Sequence, residues 1–284
     1  MRDALVFGGS GQIGVPVIER LRSSGWNVIA VSRTAQVDGE QLRWLRGDLR
    51  QVAALPPRVD AILSLGPLDH FARWYAETSV ATSRVVAFGS TSLETKQASG
   101  DATERDLAAR LHDAEQQLFN TAARRHAGAT VLRPTLVYGA ARDKTLSQIA
   151  ALARRTGFFV LPRAAVGLRQ PVHVQDLADA AVAVIDVDAT HGRSYALPGG
   201  ETLAYAQMVE RTLASLQPPA RLIQLPGGVF KLALGAAHAL GRMRALGDAA
   251  LARMGEDLVF DAEPARRDFG YAPRSFEPQA SMFG

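Results

Sequence analysis

Short apolar runs alternate with amphipathic stretches through the first half of the chain. An apolar run of four to eight residues predicts a buried strand, and apolar positions spaced three or four apart predict a helix. Their alternation predicts an α/β fold with a Rossmann-type, doubly wound parallel sheet. The predicted strands span residues 4–8, 26–31, 42–45, 59–65, 84–89 and 129–133.

Two helices are clear in the pattern. Arg105 to Arg125 carries one apolar stripe and is followed by a glycine. Asp176 follows the predicted strand 171–174 and is a suitable N-cap for a helix through Ile185. The stripe of the first helix consists of Leu107, Leu111, Ala114, Leu118 and Ala122.

The rest of the chain has more Pro and Gly and less alternation. We therefore expect residues 1–139 to form the Rossmann core, completed by about 171–188. Residues 140–170 and 189–284 should form a smaller C-terminal substrate lobe, and 232–254 should be an alanine-rich helix. Ligands of such sheets bind at the carboxyl ends of the strands.

A glycine-rich turn follows the first predicted strand. Gly8 permits a tight turn, Gly11 lets backbone N–H groups approach a phosphate, and Gly14 lets the next helix pack closely. The positive helix N-terminus would then face the pyrophosphate of a dinucleotide. The cofactor-binding residues predicted here are Gly8, Gly9, Ser10, Gly11, Gln12, Ile13 and Gly14.

The end of the second predicted strand bears on which dinucleotide binds. An acidic residue there would accept a hydrogen bond from the ribose 2′-hydroxyl of NAD, but this chain has Ser32 and Arg33. The Arg33 guanidinium suits a 2′-phosphate, so we expect NADP(H), with NAD as the second choice. A solvated loop arginine is the alternative. Asp48 could accept a hydrogen bond from adenine or could be a turn residue, and Leu49, Leu65 and Gly66 are further predicted cofactor contacts.

Composition narrows the classes of function. The chain has 284 residues, a net charge of +4 and no cysteine, so disulfides and a cysteine nucleophile are excluded. Its basic residues are scattered among acids, which argues against nucleic acid as a partner. The apolar stretch 232–241 is too short to span a membrane. We expect a cytoplasmic protein with a small-molecule substrate and no metal site, and a homodimer remains open.

Four segments resemble the short-chain dehydrogenase/reductase superfamily, in its extended and atypical branch of epimerases and dehydratases. The strand at 85–89 runs into Ser90 and Thr91, as in the family strand whose hydroxyl contacts the substrate. Residues 132–139 resemble the family's Leu-Arg-Pro…Tyr-Gly segment beside the nicotinamide, which implies cofactor contacts at Pro134 and Val137. Residues 169–176 resemble Arg-Asp-Phe-Val-His-Val-x-Asp, which implies substrate contacts by Arg169 and His173, and 269–275 resembles the family's closing turn.

The chain departs from the family at its catalytic pair. The family uses Tyr-x-x-x-Lys, in which lysine lowers the tyrosine pKa and tyrosine transfers a proton. None of the five tyrosines here has a lysine four residues later, and Leu107 and Leu111 align with the missing pair. A proton donor would have to lie elsewhere. The candidates are Thr91 and Ser90 to Ser92, Tyr138, His70, His173 and Lys96.

Two functions follow as expectations. One is an NADP(H)-dependent oxidoreductase or epimerase with a relocated proton donor, acting on a carbonyl compound or nucleotide sugar. The other is a non-catalytic NADP(H)-binding redox sensor or assembly protein. The retained hydroxyls favour the enzyme, and the missing pair favours the sensor.

Overall fold

The computed structural model describes residues 2–52, 54–143, 145–230, 232 and 253–284. The strands are β1 Arg2–Phe7, β2 Trp26–Ser32, β3 Leu42–Arg46, β4 Ala61–Ser64, β5 Arg84–Phe88, β6 Gly128–Pro134, β7 Val137–Tyr138, β8 Phe158–Pro162, β9 Leu168–Arg169, β10 Val172–His173, β11 Arg193–Leu197, β12 Leu203–Ala204 and β13 Arg221–Leu225. The helices with described bounds are α1 Gly14–Ser23, α2 Leu68–Glu77, α3 Ser92–Thr95, α4 Ala102–Arg124, α5 Leu146–Thr156, α6 Val174–Ala183, α7 Tyr205–Ala214 and α8 Glu263–Phe269.

The chain divides into two compact units. The first comprises Met1–Thr135, Val174–Leu197 and Asp261–Ala272, and the second comprises Leu136–His173, Pro198–Phe260 and Pro273–Gly284. The division differs from the predicted one in both directions. β11 and α8, expected in the substrate lobe, belong to the first unit, and β7 and β10, expected in the core, belong to the second. The alanine-rich stretch 232–254 lies almost entirely outside the described residues.

The first unit is built on a parallel sheet. Within the described residues it has seven strands in the order β11-β6-β5-β4-β1-β2-β3, and every pairing is parallel. The strand order reverses between β1 and β4, which is where sheets of this kind bind ligands. β4 and β5 are buried along their whole length, as expected for strands covered on both faces. The predicted α/β fold class is confirmed.

Helices cover both faces of this sheet. α1 packs against α6, and α2 packs against α4. α4 begins earlier than expected because the Asp101 side chain accepts a hydrogen bond from Thr103 N at 2.8 Å and caps it. α6 starts at Val174, so Asp176 lies in its first turn and is not the N-cap that we predicted.

The second unit has its own apolar core. Three small two-stranded sheets, within the described residues, pair β10 with β7, β12 with β9 and β13 with β8. α5 and α7 pack around buried aromatic and aliphatic side chains that include Tyr138, Phe276 and Phe283. Among the described residues, no helix has the length and apolar character needed to cross a membrane.

The side chain of Arg84 connects β5, β6 and the segment 184–190 of the first unit by hydrogen bonds. It is 4% exposed, although it is a cation at the first position of β5. Its Nη2 lies 2.6 Å from Val184 O and 2.7 Å from the hydroxyl oxygens of Thr130 and Thr190, and Nε donates to Ile185 O at 3.1 Å. Burial lowers the pKa of Arg84 to about 10, and the nearby charge of Asp188 opposes that shift. The guanidinium therefore caps the 3-10 turn Val184–Asp186, which follows α6, through hydrogen bonds.

We expect Arg84→Met to lower the free energy of unfolding by about 2–4 kcal/mol, because two carbonyls and two hydroxyls would lose a buried donor. Urea denaturation measures the change. Arg43→Met, at an exposed position of β3, is the matched control and should change stability by less than about 0.5 kcal/mol. Equal stability of the two variants would contradict the capping role.

Candidate functional site

The turn between β1 and α1 forms a backbone cradle. Gly8 has φ +78°, and its carbonyl accepts a hydrogen bond from Gly11 N at 2.9 Å. A Cβ on Gly14 would lie 2.2 Å from Gly8 O and 2.4 Å from Gly9 O, distances that no side chain tolerates. The missing side chain lets α1 begin directly against the turn, as the sequence pattern predicted.

The N-terminus of α1 is left open to an anion by its own sequence. No acidic residue occupies the first turn of the helix. Gln12 Oε1 is buried beside the turn and has no hydrogen-bond partner among the described residues. Ser10 Oγ lies 3.1 Å from Ser32 Oγ, which connects the turn to the carboxyl end of β2. The turn and the helix N-terminus without acidic residues fit a bound phosphate, which takes up backbone N–H donors and the positive end of a helix.

The carboxyl ends of β2 and β3 carry positive charge. Arg33 follows β2 and is exposed, and no ion pair involves it in the part of the chain that the structure describes. The strand register places Arg46 beside Ser32, so a second exposed arginine stands at this edge. Sequence analysis missed Arg46, although its position immediately after an apolar run could have indicated it.

Asp48 is held in a turn. Its Oδ1 accepts hydrogen bonds from Arg50 N at 2.8 Å and Gln51 N at 3.1 Å. The hydrogen bond from Arg50 N has the largest effect and that from Gln51 N the next largest, and both hold the pKa of Asp48 below its usual value. The group is therefore a carboxylate at neutral pH. Leu49 packs against the apolar core. The turn interpretation of Asp48 therefore has direct support in the geometry.

The end of β4 lies against the glycine turn. Leu65 N donates to Phe7 O at 3.0 Å, and a Cβ on Gly8 would lie 3.2 Å from the Leu65 carbonyl carbon. Ser64, the last residue of β4, is 1% exposed, and its hydroxyl has no partner among the described residues. Leu65 and Gly66 thus border the switch point, next to the turn, where we predicted cofactor contacts.

The two predicted catalytic hydroxyls after β5 have different partners. Thr91 is 7% exposed and its hydroxyl donates to Pro134 O at 3.2 Å. Ser90 Oγ instead accepts a hydrogen bond from Ser92 N at 3.1 Å, which leaves its own proton available. Ser90 is half-buried. Of the two, only Ser90 keeps a hydroxyl proton that no backbone carbonyl uses.

The positions of the missing catalytic pair lie on α4. Leu107 is half-buried and Leu111 packs against the core of the first unit. One turn further on, Glu115 is 4% exposed and is bound by Arg133, which donates through Nε at 2.8 Å and through Nη2. Arg133 Nη1 also donates to Glu94 at 2.9 Å. An ionic network therefore joins α4, β6 and α3.

Arg133 stays protonated in this network. Burial lowers its pKa, but the hydrogen bonds and charges of Glu115 and Glu94 outweigh burial, so the net shift is upward. Sequence analysis missed this pair. A glutamate within the apolar stripe of α4, between Ala114 and Leu118, is the signal that indicates a buried cationic partner.

Lys96 and His70 also lie in the first unit, among the candidate proton donors. Lys96 follows α3 and pairs with Glu104 Oε1 at 3.4 Å, and Ser99 Oγ donates to Glu104 Oε2 at 2.8 Å. His70 lies in the first turn of α2 and is half-buried. No group of three acidic or histidine side chains could hold a metal ion in the described residues.

The remaining predicted site residues belong to the second unit. Tyr138 is 1% exposed, and its ring packs edge-on against His173 and Phe276, with centroids 5.0 and 4.9 Å away. Val137 is paired with Val172 in the β7–β10 sheet. Tyr138 and His173 are thus core residues, and their rings stabilise the second unit.

Arg169 is committed to backbone acceptors. Its Nη1 donates to Leu168 O at 2.7 Å and to Glu256 O at 2.6 Å, and its Nη2 donates to Arg253 O. Burial lowers the pKa of Arg169. A substrate diphosphate would have to displace these carbonyls, so the geometry gives Arg169 a structural role in place of the predicted contact.

We expect Gly14→Ala to lower the free energy of unfolding by about 1–3 kcal/mol, because its Cβ would overlap two carbonyl oxygens and the backbone would have to move. Gly39→Ala is the control, since no atom lies within 4 Å of its Cβ position. The control should be neutral or slightly stabilising. Urea denaturation compares the two, and a Gly14→Ala protein as stable as the control would rule out the close approach.

Comparison with known proteins supports this architecture over the full chain. No protein-family model matches the sequence, and no curated protein matches it. Among solved structures, MoeE5 in complex with UDP-glucuronic acid and NAD has a TM-score of 0.71 and 21% identity, covering 99% of this chain and 97% of that one. WbmF from Bordetella bronchiseptica, in complex with NAD+ and UDP, has a TM-score of 0.71 and 15% identity, with 99% and 91% covered. UDP-glucuronic acid 4-epimerase from Bacillus cereus, in complex with NAD, has a TM-score of 0.70 and 11% identity, with 99% and 97% covered. The chain therefore has the Rossmann-type α/β fold of these three proteins.

Proposed function

We propose that this protein binds NADP(H) and is an atypical short-chain dehydrogenase/reductase that oxidises, reduces or epimerises a small molecule. The observation that carries the proposal is the glycine cradle of Gly8 and Gly14 at the point where the strand order reverses. A glycine turn that brings the backbone close and opens directly into a helix N-terminus is what a pyrophosphate requires.

The choice of NADP(H) over NAD rests on Arg33 and Arg46. Both are exposed at the edge where the adenosine ribose would lie, and the residue directly after β2 is not acidic. A guanidinium can bind a 2′-phosphate through two parallel hydrogen bonds. The three similar structures contain NAD or NAD+, so NAD remains the competing cofactor.

For the substrate, we propose a nucleotide sugar. MoeE5 was solved with UDP-glucuronic acid and WbmF with UDP, and each is covered by this fold over at least nine tenths of its length. The bound cofactor would supply or accept a hydride at a sugar carbon. A hydroxyl of the segment after β5 would donate a hydrogen bond to the reacting oxygen, and Ser90 and Ser92 both keep a hydroxyl proton that the backbone does not use.

The competing function is a non-catalytic NADP(H) sensor. It is favoured by Leu107 and Leu111, which replace the family's proton donor with side chains that cannot transfer a proton. The enzyme is preferred because half-buried hydroxyl and ammonium groups remain in the first unit, on and after α3.

We expect the purified protein to bind NADPH more tightly than NADH in a fluorescence titration. Adding UDP-sugars and oxidised UDP-sugars to the complex should change the cofactor absorbance at catalytic rates, or convert one sugar epimer to another. Binding without any such turnover would favour the sensor, and the absence of binding would refute both functions.

We expect Arg33→Asp to weaken NADPH binding about tenfold, because it removes one charge-assisted contact to the 2′-phosphate. The affinity for NADH should change little, so the preference for NADPH over NADH would become smaller. Arg58→Asp is the control, since Arg58 is exposed and comes before the amino end of β4, at the opposite edge of the sheet. An unchanged preference in Arg33→Asp would assign the phosphate to another group.

A further inference from the structure

Helix α3 brings a hydroxyl and an ammonium to one face. Lys96 N donates to Ser92 O at 3.1 Å, so the helical hydrogen bonding continues to Lys96. Residues four apart in a helix lie on the same face, about 5–6 Å apart at Cβ. Ser92 and Lys96 therefore repeat, on a different helix, the hydroxyl-x-x-x-lysine spacing that α4 lacks.

The lysine is fixed in position. Its ammonium lies 3.4 Å from Glu104 Oε1, and the other oxygen of that carboxylate is held by Ser99. The Lys96 side chain is 23% exposed and that of Glu104 is 13% exposed. The pair is thus largely shielded from solvent but still open to a ligand. A half-buried ion pair of this kind orients its cation better than an exposed one.

Ser92 has a hydroxyl available for a ligand. No hydrogen bond of its Oγ occurs among the described residues, and the residue is half-buried. α3 itself is anchored on both sides, because Thr91 donates to Pro134 O and Glu94 binds Arg133. These two hydrogen bonds fix the position of α3, which carries Ser92 and is followed by Lys96.

The strand order indicates which half of a dinucleotide would meet α3. If the pyrophosphate occupies the turn after β1, the adenosine half extends over β2 and β3, where Arg33 and Arg46 stand. The nicotinamide half then extends over β4 and β5, in the opposite direction. α3 begins four residues after the end of β5, so it lies on the nicotinamide side.

We propose that Ser92 and Lys96 form the relocated hydroxyl–ammonium pair of this protein, in which Lys96 binds the nicotinamide ribose and Ser92 faces the reacting oxygen. The proposal rests on the proposed function. In a reduction, Ser92 would give its proton to the carbonyl oxygen, and a bound NADPH would supply the hydride to the carbonyl carbon. The Lys96 ammonium then returns a proton to the Ser92 oxygen, and water reprotonates the amine.

The first test asks whether Lys96 contacts the nicotinamide half of the dinucleotide or the adenosine half. NADPH and adenosine 2′,5′-bisphosphate, which lacks the nicotinamide half, are titrated against wild type, Lys96→Met and Lys96→Arg. We expect Lys96→Met to weaken NADPH about tenfold, through loss of a charge-assisted hydrogen bond, and to leave the bisphosphate unchanged. Lys96→Arg should recover most of the affinity.

Arg110→Met is the control. Like Lys96→Met it removes one positive charge from the first unit, but Arg110 lies on α4 and pairs with Asp106 and Asp69.

If Lys96→Met weakens the binding of NADPH and of the bisphosphate equally, the proposal is overturned. A lysine that only stabilises the fold would affect both ligands alike. Unchanged NADPH binding by Lys96→Met would also overturn it. If wild type binds neither ligand, the proposed function fails, and that outcome is distinct from failure of the pair.

A labelling experiment on the wild-type protein covers the case in which Lys96→Met does not fold. The sequence has three lysines, so amine acetylation is easily assigned to each by peptide mass spectrometry. We expect saturating NADPH to slow acetylation of Lys96, and saturating adenosine 2′,5′-bisphosphate to leave it unchanged. Equal rates at Lys96 with and without bound NADPH would refute the contact.

Discussion

Helix α1 approaches the turn after β1 so closely that the backbone itself occupies the space of a side chain, and the geometry of the site depends on this contact. With a Cβ at Gly14, the carbonyls of Gly8 and Gly9 would have to move away, and the helix N-terminus would move with them. Leu65 is bonded to Phe7 and lies against Gly8, so a shift of the turn would extend to β4. The position of a bound phosphate, and of both halves of any dinucleotide around it, follows from this one steric limit.

The fold could be predicted from sequence because its strands are continuous apolar runs and its glycines have a local steric reason. Six of the seven sheet strands were expected within a few residues of their observed bounds. β11 was not expected, because Arg193–Leu197 begins with two polar residues and only its parallel pairing with β6 makes it part of the sheet. Periodicity cannot identify a pairing between residues 63 positions apart in the chain.

The candidate site was harder to predict, for a different reason. Its charged residues act in pairs between distant segments, such as Arg133 with Glu115 and Arg169 with the carbonyls near 253–256. An arginine in a family-like motif suggested a phosphate ligand, but the structure gives Arg169 three backbone acceptors instead. The same holds at α4. Where the family that the sequence resembles has a tyrosine and a lysine, this chain has two leucines, and the buried charge lies one turn further on, at Glu115.

The first unit is assembled from three separate stretches of the chain, and this has a consequence for how the protein can be divided. A fragment ending at Thr135 would lack β11, so β6 would become an edge strand with a free row of N–H and C=O groups. It would also lose the carbonyls of Val184 and Ile185, leaving the Arg84 cation buried beside β6 without its main acceptors. Such a fragment would have both an exposed template for strand addition and an uncompensated charge. The first unit therefore cannot be isolated as the N-terminal half of the chain, and late segments of the chain must be present before the early ones are stable.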